Sequence, residues 1–144
     1  MADKALNYIG IMQKAGACAT GETDSGAACR SGKAKLLLLA ADASENARHR
    51  AEGFVYGRGV LLVTLPYEKT DLARILGRGV TSMLAVTDLG LADAVMKALA
   101  ASNEEAYGET SARLSEKLRK ERERKSEQQR HEQNKRFGER RKKA

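Results

Sequence analysis

Residues 30–44 read Arg30-Ser31-Gly32-Lys33-Ala34-Lys35-Leu36-Leu37-Leu38-Leu39-Ala40-Ala41-Asp42-Ala43-Ser44. The four leucines leave no polar position, so a strand built here must bury both of its faces. Such a strand belongs in the middle of a sheet with helices on either side. Gly32 stops the helix before it, and Asp42-Ala43-Ser44 punctuates the other end. Ser44 is placed to cap a helix over residues 45–52, because its hydroxyl can accept from a first-turn N–H.

Toward the N-terminus, Leu6, Ile9 and Met12 recur every third position, with Ala5 and Ala15 alongside, which predicts a helix over 3–15. Gly16 suits its left-handed C-terminal stop. Cys18-Ala19-Thr20 makes a very short strand. Gly21 opens a second helix over 22–31, with Glu22 and Asp24 in its first turn and Arg30 near its end, as the helix dipole favours.

Toward the C-terminus, Gly53, Gly57 and Gly59 mark a loose connection and Val60-Leu61-Leu62-Val63 is a second apolar strand. Thr70 can cap a fourth helix whose Leu72, Ile75 and Leu76 share a face, and Gly77 and Gly79 end it. Met83 to Thr87 is a further strand, and Leu91, Val95, Ala98 and Leu99 form the buried stripe of a fifth helix. This alternation predicts an α/β domain, its largely parallel sheet sandwiched between helical layers.

The 144 residues favour one domain with an appendage. Aromatic residues are only 4%, so the core must be aliphatic. Residues 1–108 carry 12 Lys/Arg and 12 Asp/Glu, whereas 109–144 carry 14 and 7, so the tail holds the whole net charge of +7. A basic excess confined to a tail points to a polyanion such as nucleic acid, or else to a solvated solubility tail. An anionic membrane surface is the weaker reading, because the tail has few large apolar residues. After Leu114 and Leu118 these almost vanish until Phe137. Glu116–Lys120, Glu121–Lys125 and Glu132–Arg136 have helix-favouring i,i+4 spacing. They predict a partly formed helix, solvated all round and fraying near Arg140-Arg141-Lys142-Lys143. The organisation expected is therefore a domain over 1–103 and a basic tail over 104–144.

Cys18 and Cys29 lie eleven positions apart, which is neither a zinc nor a redox spacing, so both are read as small fillers of the interior. His49 and His131 lack metal-spaced partners and are read as solvated. Ser25 and Ser31 sit in no nucleophile elbow. Tyr8 and Tyr67 suit either base stacking or partial burial. No cofactor, metal site or catalytic set is expected. No apolar stretch reaches the length of a spanning helix and no leader is visible, so the expected compartment is the cytoplasm.

Several strings resemble a known family. They are Leu6-Asn7-Tyr8-Ile9-Gly10 through Lys14-Ala15-Gly16, Thr20-Gly21-Glu22, the stretch from Arg30 to Ala40, Asp42-Ala43-Ser44-Glu45-Asn46 and Ala85-Val86-Thr87-Asp88. Over residues 4–100 the chain resembles the kink-turn RNA-binding superfamily of the ribosomal protein L-seven-Ae. It is most similar to that superfamily's small bacterial YlxQ-type members, which are ribosome-associated. The resemblance implies a three-layer α-β-α sandwich with a mixed, mostly parallel sheet of about four strands. It also implies an RNA site at the start of the second helix, completed by the loop before the last strand. The family signature is Gly-x-Asn-Glu-x-x-Lys. Aligned back from Gly32, Gly21 matches the glycine, Thr23 falls on the asparagine, Asp24 on the glutamate and Ala27 on the lysine. The amide and the lysine are thus lost, which bears on kink-turn specificity.

The chemistry of these residues fits such a site. Helix N–H groups can hold a phosphate, and Gly21 admits another backbone. Glu22 and Asp24 suit the N–H edge of a guanine, or merely complement the helix dipole. Lys14, Arg30, Lys33 and Lys35 are expected to ring this tip as phosphate clamps, though Lys33 and Lys35 also fit an ordinary solvated strand start. Gly77-Arg78-Gly79-Val80-Thr81 is either a second RNA-facing loop or a plain glycine-rich turn. In the first case Arg78 meets phosphate, Gly79 lends mobility and Val80 packs on a base.

The function expected is non-catalytic binding of a bent or bulged, kink-turn-like structured RNA, with the tail adding phosphate affinity. The partner is expected to be ribosomal RNA, with ribosome or assembly proteins beside it. The alternative is a protein-interaction module of the translation machinery that has lost kink-turn recognition. An accessory domain of an RNA methyltransferase would need a catalytic domain and a cofactor fingerprint that this sequence does not contain.

Overall fold

Leu36 to Leu39 form a strand in which every residue is buried, as an uninterrupted leucine run requires. The structure, a computed structural model, describes residues 3–77 and 79–143, those beyond Arg136 as backbone. The elements run α1 (Lys4–Ala15), β1 (Cys18–Thr20), α2 (Glu22–Arg30), β2 (Leu36–Leu39), α3 (Glu45–Val55), β3 (Leu61–Thr64), α4 (Lys69–Leu76), β4 (Met83–Val86), α5 (Leu89–Ser102) and α6 (Glu104–Lys143). The chain is α/β, and its four strands form one sheet in the order β1-β4-β2-β3.

The sheet is mixed, as expected, but only the β2–β3 pairing is parallel. β4 lies between β1 and β2 and runs against both. The local sequence of a strand does not encode its direction, which is why alternation alone overstated the parallel share.

Alternate leucines of β2 feed two cores. Leu36 and Leu38 pack with Ile9 and Met12 of α1, Leu72 of α4 and Val95 and Leu99 of α5. Leu37 and Leu39 pack with Ala28 and Cys29 of α2 and Ala47 and Ala51 of α3. The period-two side-chain alternation of a strand thus produces three layers.

Most boundaries follow the local signals. Asp3 and Ser44 cap α1 and α3 through side-chain oxygens, and Gly16 ends α1 at φ 67°. Two expectations fail. α3 does not stop at residue 52 but continues through Gly53 to Val55, because Phe54 and Val55 pack on the second core. Thr70 does not cap α4: the helix starts at Lys69, whose N–H donates to Asp42 Oδ1 at 2.8 Å. The N–H of Glu68 donates to Asp71 at 3.1 Å.

The largest difference is in α6. Leu114 is fully buried in the first core, and Tyr107 and Leu118 pack against it. Ser115 donates to the buried carboxylate of Asp93 on α5 at 2.6 Å, and Lys97 pairs with the same group at 3.0 Å. The phenol of Tyr107 donates to the Thr64 carbonyl at 2.9 Å, and Lys117 Nζ donates to the Gly59 carbonyl at 2.6 Å. The helix therefore runs alongside β3, opposite in direction. Only from Arg119 onward is it solvated nearly all round, with every side chain through Arg136 exposed except that of half-buried Glu121. Of the expected i,i+4 pairs, Glu121–Lys125 forms at 3.3 Å, while Glu116 pairs instead with Arg119.

Cys29 is buried and Cys18 half-buried, in keeping with their reading as fillers, and neither forms a disulfide. Tyr67 is buried and Tyr8 packs on the core. No helix of the described residues is long and apolar enough to cross a membrane.

Candidate nucleic-acid interface

The start of α2 and the loop before β4 meet at one carbonyl. The N–H of Gly21 donates to Met83 O at 3.0 Å, and the Thr81 hydroxyl donates to the same oxygen at 3.0 Å. The register that pairs Thr20 with Leu84 brings this about. The chain leaves β1 beside the point where it arrives at β4.

Gly21 has φ 92° and ψ 167° and offers no side-chain cap to the helix. That conformation belongs almost wholly to glycine. Its carbonyl accepts from Ser25 N–H at 2.9 Å, the first bond of the helix. The buried hydroxyl of Ser25 donates to Ala19 O at 3.2 Å, locking α2 to β1. The N–H groups of Glu22, Thr23 and Asp24 are then the first-turn donors that no intrahelical carbonyl reaches.

The two carboxylates differ. Glu22 is half-buried and accepts from Arg50 of α3 at 2.7 Å, whereas Asp24 is exposed beside Thr23. Ala27, which aligns with the lysine of the signature that the sequence resembles, is also exposed. On the neighbouring loop Gly79 is exposed and Val80 is 68% exposed. Arg78 lies outside the described residues.

The expected ring of cations does not form around this tip. Lys35 N–H donates to Val86 O, the far end of β4 from Met83, at 2.7 Å. Lys33 and Lys35 therefore stand at the opposite end of the strands, as does Lys14 in the last turn of α1, just before β1 begins. Arg30 closes α2, nine residues from its start, or about 13 Å along the axis. Its guanidinium carbon lies 6.0 Å from the centroid of the Phe54 ring, at the outer limit of a cation–π contact. A helix between two strands reverses the chain, so its two ends cannot surround one point.

Arg50 is the site residue that sequence reasoning missed. The signal was present: Ala47 and Ala51 mark the inner face of α3, which leaves Arg50 on the flank beside α2. His49 is exposed and lies 3.8 Å from Glu52. Burial pushes the Cys29 thiol up, against the pull of Arg58 and Arg30, so at neutral pH it is a poor nucleophile.

No family model matches the chain, and no curated protein matches it in sequence. Solved structures do. A protein with unknown function from Bacillus halodurans is 20% identical with a TM-score of 0.63, and the match covers 67% of this chain and 97% of that one. A Giardia lamblia 15.5kD RNA binding protein is 21% identical with a TM-score of 0.53, covering 66% and 81%. At these identities the likeness is one of fold.

Proposed function

We propose that the chain is a non-catalytic RNA-binding protein of the cytoplasm, associated with the ribosome, that recognises a bent or bulged RNA of the kink-turn kind. The observation that carries this is the shared hold of Gly21 and Thr81 on the Met83 carbonyl. It joins a helix tip with unpaired N–H donors to an exposed loop bearing Val80, which is a surface for a backbone phosphate beside a splayed base. Asp24 is the group that would accept from a guanine edge. The fold is also that of a solved RNA binding protein. The projecting half of α6 supplies sequence-independent attraction, since residues 119–144 hold 12 Lys/Arg against 5 Asp/Glu.

An electrophoretic titration of the full chain against a kink-turn RNA and a straight duplex of equal length, at two salt concentrations, tests this. Tighter binding to the bent RNA at both salts is expected. Equal, strongly salt-dependent binding to the two would leave only a polyanion-binding tail. Binding to neither would favour the protein-interaction reading.

A further inference from the structure

At the end of the strands opposite the α2 tip, a cleft of about 410 Å³ opens between the lead into β2, the turn before β3 and α6. Five cationic side chains line it: Lys35, Arg58, Lys117, Lys120 and Arg124. Glu121 is the one carboxylate on its wall, and Glu121 is already engaged by Lys125 at 3.3 Å. These cations come from three separate stretches of chain, so folding and not sequence assembles them. Two features hold the wall in shape. Lys117 Nζ donates to the Gly59 carbonyl at 2.6 Å, tying α6 to the turn. Gly57 and Gly59 take φ 69° and 71°, which close that turn tightly. Glu116 makes its ion pair with Arg119 rather than with Lys120 on the cleft wall.

Like charges gathered at this density repel one another unless an anion sits among them. A body that is electrically neutral as a whole concentrates its field here, where the basic helix leaves it. We propose that this cleft is a second RNA-backbone site, which grips phosphates of the stem flanking the bend while the α2 tip reads the bend itself. The inference rests on the RNA-binding reading above. α2 runs from one end of the strands to the other, about 13 Å along its axis, so a single folded RNA can reach both.

The test compares two doubly substituted full-length chains with the parent. Arg58→Ala/Lys120→Ala removes two charges from the cleft, and Arg130→Ala/Lys135→Ala removes two from the helix beyond it. All four side chains are exposed, so the fold should tolerate both pairs. Binding to a bent RNA with long flanking stems and to a straight duplex is followed against salt. For the cleft pair the slope of log affinity on log salt is expected to fall by about 2, about one per lost phosphate contact, with the preference for bent RNA kept. The control pair belongs to the helix that attracts RNA without a fixed contact, so it should lower the slope by less than the cleft pair does. Equal losses for the two pairs would overturn the cleft and leave a diffuse polyanion tail. Saturable binding of inorganic phosphate that is lost in the cleft pair, with RNA slopes unchanged, would make it a small-anion site and equally overturn the proposal. Failure of the bend-reading proposal looks different: no preference for bent RNA in the parent, with the cleft pair still lowering the slope on straight duplex.

Discussion

The guanidinium of Arg50 meets the carboxylate of Glu22 at 2.7 Å across the α2–α3 contact, 28 positions apart in sequence. It leaves Asp24 as the carboxylate at the helix tip that faces solvent. The division of labour between two neighbouring acids is thus set by a residue on another helix.

Asp24→Ala is expected to lower the preference for bent over straight RNA about tenfold, since one base-edge contact is worth about 1–3 kcal/mol of discrimination. Glu22→Gln should change it little. Competition between labelled bent and straight RNAs measures both. Unchanged discrimination in Asp24→Ala would remove the base-reading role.

The Glu22–Arg50 pair is largely exposed, with side-chain exposures of 34% and 63%. A double-mutant cycle on thermal or urea unfolding should therefore return a coupling of about 0–1 kcal/mol. A larger value would mean that the pair holds α3 on α2.

Gly21→Ala is expected to cost about 1–3 kcal/mol although a Cβ there would touch nothing within 4 Å. The strain lies in its backbone at φ 92°. Urea unfolding reads the loss, and a neutral result would mean the helix tip relaxes freely into another conformation.

Truncation should separate the two halves of α6. Removing residues 119–144 is expected to weaken RNA binding broadly and leave stability near that of the full chain. Removing 104–144 uncovers the core that Leu114 closes and should lower the melting temperature sharply. Leu114→Ala alone should cost about 2–5 kcal/mol. Equal melting temperatures for the two truncations would contradict the docking of this helix.

Tyr107 carries a pH dependence. Burial raises its phenol above the ordinary value, so the folded state favours the protonated form. Its contribution is complete below pH about 10 and is lost as pH climbs through the raised value in the folded chain. Tyr107→Phe should lose about 1 kcal/mol at neutral pH with its bond to Thr64 and show a shallower alkaline decline. Tyr67 is raised by burial and by nearby Asp3, and it will keep part of that decline in the variant.

Much of the architecture was readable in single residues. The run Leu36–Leu39 is short for a helix and, as a strand, had to be covered on both faces, and Ser44 and Gly16 act as cap and stop because their chemistry is local. The helix tip was readable too, because Gly21 and the acids after it lie consecutively. What was not readable depended on the return path of the chain. Lys33 and Lys35 follow α2 closely in sequence, yet the helix carries them away from its start to the opposite end of the strands. α6 hid its docking because its apolar stripe is little more than Leu114 and Leu118 among charges. The small residues Ser111 and Ser115 that let it approach α5 look polar in a sequence.

β3 ends the order of the sheet, so its outer backbone groups have no further strand to pair with. The length of α6 from Tyr107 to Lys117 lies along that side and takes up the Thr64 and Gly59 carbonyls. An uncovered edge is a template on which another chain can add a strand. The first turns of the basic helix therefore stand in the way of strand addition at β3. A protease cut between residues 104 and 118 would do more than release a charged arm: it would open the side of β3 to strand addition.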